Sequence, residues 1–114
     1  GGNITDSGTV TVGGDLAATT DDNNGAITLD TLAVNGTMAL TTHTGGAATV
    51  VNDADIDFAS STVRGTLSVT AEAGDIIDTG VLAITGTSNF TVAGGQNITL
   101  DSDNTFSGAV TFAH

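Results

Sequence analysis

Short alternations of apolar and polar residues run the length of the chain and never lengthen into a helical period. They are Val10-Thr11-Val12, Ile27-Thr28-Leu29, Met38-Ala39-Leu40, Ile56-Asp57-Phe58 and Leu67-Ser68-Val69, then Leu82-Ala83-Ile84, Phe90-Thr91-Val92, Ile98-Thr99-Leu100 and Val110-Thr111-Phe112. Each reads as a strand of about three to five residues, bounded by Gly, Asn, Asp or Ser. No segment holds apolar residues at a sustained 3.6-residue spacing, so no helix is expected.

The alternations also resemble one another. Asn3-Ile4-Thr5 returns as Asn97-Ile98-Thr99, and the stretch Thr31 to Thr37 reads much like Val81 to Thr87. Val63-Arg64-Gly65-Thr66-Leu67-Ser68-Val69 parallels Phe106 to Phe112. Taking Ile4, Ile27, Ile56, Ile76 and Ile98 as equivalent gives steps of 23, 29, 20 and 22 residues. Imperfect copies at 20–23 residues are the signature of a solenoid. The expected fold is therefore all-β, a parallel β-solenoid forming one domain over residues 1–114, with coils at 4–26, 27–55, 56–75, 76–97 and 98–114. The long second coil is expected to carry an insertion around His43–Asn52, where alternation is weakest.

One such coil cannot stand alone, because a handful of buried side chains does not offset the ordering of some twenty residues. Pairing with coils above and below, about 4.8 Å away, has to supply the rest. The same reasoning applies to the ends. Gly1-Gly2-Asn3-Ile4 opens in repeat phase and Val110-Thr111-Phe112 closes in strand, neither with a polar or helical cap. Flanking coils, or identical subunits stacked end to end, are the expected partners.

Composition agrees with short strands and narrows the partners. The 114 residues include 16 Gly, no Pro, no Cys and no Trp, and mean hydropathy is +0.22. β-Branched residues suit a pleated surface, and Gly, Asn and Asp supply turns. One Lys or Arg against 13 Asp and Glu leaves a formal charge of −12. A surface with a single cation, Arg64, cannot neutralise a phosphate backbone or hold to an anionic leaflet, which argues against nucleic acid and direct membrane binding. Metal cations or a basic partner are its natural complement. Without cysteine there is no disulfide and no thiolate metal site. No apolar run reaches the roughly 18 residues of a spanning helix.

Two stretches carry a family resemblance. Gly95-Gln96-Asn97-Ile98-Thr99-Leu100-Asp101-Ser102-Asp103-Asn104-Thr105-Phe106-Ser107-Gly108-Ala109-Val110-Thr111-Phe112 resembles the repeats of giant filamentous-haemagglutinin-like surface proteins. So does Gly65 to Ile76, followed by Gly80 to Thr87. The resemblance covers Asn52 to the end well and residues 1–51 more loosely. It implies a right-handed β-helix, bacterial export to the cell surface and an adhesive or scaffolding role toward a host or surface carbohydrate or protein. Repeats of that family carry no catalytic residues, so none are transferred.

Acidic clusters are the first candidate chemistry. They are Asp21-Asp22-Asn23-Asn24-Gly25, then Asp53, Asp55 and Asp57 at alternate positions, then Asp101-Ser102-Asp103-Asn104. If extended, the middle set lines one side of a strand, and hard oxygen ligands at turns suit Ca²⁺, the one cofactor the sequence suggests. Carboxylates stacked one coil apart repel by about 0.9 kcal/mol per pair even in water, a penalty a divalent ion reverses. Against this, neither EF-hand spacing nor a repeated Gly-Gly-x-Gly-x-Asp nonapeptide is present, and solvated turn carboxylates explain the clusters more simply.

The remaining features point away from catalysis. Asn-x-Thr occurs at Asn3, Asn35, Asn89 and Asn97, as chance allows in so Asn- and Thr-rich a chain. His43 sits in a loop-like Thr42-His43-Thr44-Gly45-Gly46, far in sequence from His114, and Arg64 is expected in a surface ion pair of little worth. A polysaccharide-active β-helix enzyme needs carboxylate pairs or a basic residue with Ca²⁺, and usually aromatic platforms for sugar rings. With one Arg and neither Trp nor Tyr, the chain is expected to be no enzyme. A third class, an ice- or Ca²⁺-binding surface, turns on whether outward threonines such as those of Thr9-Val10-Thr11 form a flat ladder.

Overall fold

Strands that bury every second side chain and stop after three to five residues can share one core only by winding around it. In the structure, a computed structural model that describes residues 2–114, they do so in about five turns; Gly1 lies outside the described residues. One sheet contains β1 (Ile4–Thr5), β2 (Val10–Val12), β4 (Ile27–Val34), β6 (Ala48–Asn52), β9 (Leu67–Ala71), β12 (Ser88–Val92) and β15 (Val110–Ala113). The other contains β3 (Leu16–Thr19), β5 (Thr37–Thr41), β7 (Ile56–Phe58), β8 (Ser61–Val63), β10 (Ile76–Asp78), β11 (Leu82–Ile84), β13 (Ile98–Thr99) and β14 (Thr105–Phe106). Every pairing is parallel, and no helix occurs among the described residues. The expected all-β parallel solenoid is the fold.

The register corrects the coil boundaries. Ile4 pairs with Ile27 in the first sheet, and Ile56, Ile76 and Ile98 pair in turn in the second. Ile27, however, lies beside Ala48 and not beside Ile56. The five isoleucines therefore form two columns on two sheets, and the 29-residue step crosses from one to the other. Nothing is inserted at His43–Asn52, because Ala48–Asn52 is strand β6, paired on both sides. In the first sheet the column runs Ile4, Ile27, Ala48, Leu67, Ser88, Val110, one residue per coil. Its steps are 23, 21, 19, 21 and 22 residues.

Between the sheets lies a narrow apolar core that includes Ile27, Leu40, Val50, Ile56, Phe58, Val69, Ile76 and Phe90, all fully buried. Phe90 meets Phe106 edge-on at 6.1 Å and stacks on Phe112 at 5.7 Å. One corner closes on a column of glycines: Gly25, Gly46, Gly65, Gly86 and Gly108. A Cβ on Gly86 would stand 2.6 Å from the Gly65 carbonyl oxygen, so coils meet there only without a side chain.

Polar side chains enter the core where strands break. β5 is continuous, but its successors are interrupted at residues 59–60, then 79–81, then 100–104. At the first break Ser61 Oγ accepts from the Leu40 N–H at 3.0 Å and donates to the Ala59 carbonyl at 2.9 Å. At the wider ones Asp78 accepts from the Asp101 and Ser102 N–H groups and from Asn104 Nδ2. Asn104 Oδ1 in turn accepts from the Leu82 N–H at 2.8 Å. Asn52, wholly buried in the first sheet, accepts from the Val34 N–H and donates to the Val34 and Asp55 carbonyls. Each replaces ladder bonds that the break has removed.

Candidate functional site

The structure does not bring the seven candidate carboxylates into one site. Asp21 and Asp22 are exposed on the turn before Gly25; Asp101 and Asp103 are exposed in the break between β13 and β14. Asp53 and Asp55 belong to a corner, not to a strand, so they do not share a strand face with Asp57 as the alternation suggested. Asp55 Oδ1 accepts from the Asp75 N–H at 2.8 Å, and Asp57 Oδ1 accepts from Thr79 Oγ1 at 3.1 Å. Among the described residues no three His, Cys, Asp or Glu side chains gather as metal ligands would.

The acidic residues and their amide analogues have a common task that the sequence reading missed. Asn3, Asp15, Asp55 and Asp75 each stand just before a strand and accept, through Oδ1, a backbone N–H of the next coil: Ala26, Thr37, Asp75 and Asn97. The signal was available, since Asn or Asp directly precedes Ile4, Leu16, Ile56, Ile76 and Ile98. Asp6 does the same for a bulge in β4, accepting from the N–H groups of Asp30 at 3.3 Å and Thr31 at 3.1 Å. Desolvation pushes its carboxyl up, but the hydrogen bonds from Thr31 and Asp30 outweigh that and hold it below the ordinary carboxylate value.

His43 and Arg64 are both exposed at turns, with His43 Nδ1 2.7 Å from Asn23 Oδ1. The Arg64 N–H donates to Thr42 Oγ1, whose hydroxyl donates to the Gly46 carbonyl and so pins the turn that carries His43.

What the solenoid does present is regular outward ranks. On the first sheet Thr5, Thr28, Thr49, Ser68, Asn89 and Thr111 stand in register, one per coil. Beside them run Val51, Thr70, Thr91 and Ala113. From β6 to β15 these strands contain no ionisable residue, although the chain carries −12. Parallel pairing sets the spacing along the axis at about 4.8 Å, and alternate residues stand about 7 Å apart along a strand. The second sheet has its own rank, Thr19, Thr41, Thr62, Ala83 and Thr105, but Asp57 and exposed Ile77 and Val81 interrupt that face. Ladders of threonine thus exist, broken by Ser68, Asn89, Val51 and Ala113, and no first-sheet strand from β6 to β15 carries Thr-x-Thr itself.

The last surface is an end of the stack, where an open cleft of about 540 Å³ is lined by residues that include Asp75, Asn97, Ile98, Phe112 and His114. Phe112 is 54% exposed there.

Comparison with known proteins adds one relationship. Residues 44–113 match a family described as repeats of unknown function (DUF5649). No curated protein and no solved structure matches the chain.

Proposed function

The chain belongs to the DUF5649 repeats, and from that premise we propose that it is a structural and adhesive segment of a long bacterial surface protein, exported and filamentous-haemagglutinin-like. The observation that carries the reading is the first-sheet face, where each coil adds one more hydroxyl or amide, in register, to an uncharged field. A weak contact repeated along a rigid rod becomes a strong one through effective concentration, without any deep pocket. Charge sits on turns, on strand breaks and on β4, β7 and β10, and leaves the face formed by β6, β9, β12 and β15 free. The reading assigns no catalytic role to any residue.

The test is binding of the purified chain, immobilised at several copies per bead, to an array of neutral glycans, acidic glycans and matrix proteins. Binding that is lost in T49K/T70K/T91K and kept in T62K, on the other sheet, supports the adhesive face. Binding to no member, or equal loss in both variants, removes adhesion from the proposal. Running each array in Ca²⁺ and in EDTA asks whether the scattered carboxylates contribute through a bound ion.

A second reading draws on the same ranks. Hydroxyls and methyls repeated at the coil spacing can order water as the surface of ice does, and no ionised group on β6, β9, β12 or β15 competes. Retention of the chain in slowly growing ice supports it, and exclusion like that of an ordinary soluble protein removes it.

A further inference from the structure

The polar side chains of this solenoid divide into those that serve the fold and those that do not. Thr20, Thr42, Ser61 and Thr79 spend their hydroxyls on carbonyls or a carboxylate of the chain itself. Among the described residues, the outward Thr49, Ser68, Thr70, Asn89 and Thr91 of β6, β9 and β12 make no side-chain hydrogen bond at all. All but the exposed Asn89 are half-buried between neighbouring coils. Threonine is stiff at χ1, so these groups are held in place before any ligand arrives.

Hydroxyls and amides both donate and accept, so the face suits a ligand that does the same at each step along the axis. Charge narrows the class. The strands β6, β9, β12 and β15 hold no ionisable residue, while Asp53 and Glu72 stand just beyond the ends of β6 and β9. On a chain of −12 these carboxylates repel an acidic polymer and draw a basic one to the corner, which leaves the face to a neutral ligand. Shape narrows it further. Thr49, Ser68, Asn89 and Thr111 rise one per coil in a straight rank, with Val51, Thr70, Thr91 and Ala113 in a second. Coils follow one another at about 4.8 Å, close to the advance per sugar of an extended β-1,4-linked glycan.

We infer that the outer face of β6, β9, β12 and β15 binds a neutral β-1,4-linked polysaccharide laid along the solenoid axis, one sugar to each coil. This rests on the adhesive reading and names its ligand. Sugar hydroxyls exchange hydrogen bonds with the first rank, and the C–H faces of the rings cover Val51, Ala113 and the threonine methyls of the second. An α-1,4-linked chain coils away from a straight rank after a sugar or two, so the face reads linkage as well as charge.

The experiment measures Kd of the purified chain for soluble β-1,4-glucan oligosaccharides, from disaccharide to hexasaccharide. An α-1,4-glucan hexasaccharide and a β-1,4-linked mannuronate hexasaccharide are run beside them. Affinity for the β-glucans should rise at least about tenfold from disaccharide to tetrasaccharide, the gain of a repeated contact, and both comparison sugars should bind more weakly. T49V/T70V/T91V removes three hydroxyls and keeps the β-branched shape, and should weaken hexasaccharide binding at least about tenfold. V51T adds a hydroxyl to the second rank and should tighten binding about threefold, a gain that misfolding cannot imitate. The inference is overturned by absent binding, by affinity that ignores length, by equal affinity for either comparison sugar, or by a threonine variant that binds like the parent. The bead array separates this from the reading beneath it. Capture of a matrix protein that is lost in T49K/T70K/T91K, with the oligosaccharides unbound, leaves adhesion standing and removes the glycan; beads that capture nothing remove adhesion itself.

Discussion

At the scale of single residues, the polar groups inside the core decide more than the apolar ones. Asn52 offers its whole amide to a strand that has lost its partner, satisfying both the N–H and the carbonyl of Val34. Replacing it by Leu strands both in a dry core, and N52L should lose about 2–4 kcal/mol in denaturant unfolding. Ser88 is the contrasting case. It occupies an inward position between Leu67 and Val110, is buried, and has a hydroxyl with no hydrogen-bond partner. S88A should therefore stabilise the protein by about 1 kcal/mol, and a loss of that size instead would mean the hydroxyl is bonded. Asp6 links the fold to pH. Its carboxyl is held below the ordinary value when folded, so its contribution is complete above the unfolded pKa of about 3.9 and disappears as pH falls through the folded one. D6N should flatten the acid limb of the stability–pH curve, lowering stability in its neutral region and leaving the most acid region with the smaller change.

At the scale of elements, the corners set what each coil tolerates. The glycine column admits no Cβ, and G86A should cost about 1–3 kcal/mol by forcing adjacent coils apart, measured as a lower unfolding midpoint. Alternation made most strands visible in the sequence: all nine short bursts fall wholly or largely on strands. β6 was hidden, for a physical reason. Its inward positions are Ala48, Val50 and Asn52, while the apolar Val51 faces outward, so apolar and polar no longer mark inside and outside. The equivalence of Ile27 and Ile56 failed for another reason. The two sheets use the same strand style, so Val34-Asn35-Gly36-Thr37 and Ile84-Thr85-Gly86-Thr87 look alike yet turn opposite corners of the coil. Register had to separate them. The carboxylates were legible as turn residues but not as acceptors of the next coil's N–H groups, because that partner lies about 21 residues away.

At the scale of the whole molecule, stability should grow with the number of coils, since each one contributes a fresh interface. Duplicating residues 67–87, one full step of the register from Leu67 to Ser88, adds a coil without disturbing any corner. The lengthened chain should show a higher guanidinium midpoint and a steeper denaturant dependence in proportion to the added surface. An unchanged midpoint would mean that coils do not support one another. Folding kinetics carry the other consequence of the register. Every ladder partner lies about one coil back along the chain, so the loop to be closed is the same length at each step, however long the rod. A polypeptide emerging from one end can lay each new coil on the one just finished, needing no residue still to come. Growth then proceeds by templating at a moving edge, and the time to fold should rise only linearly with length.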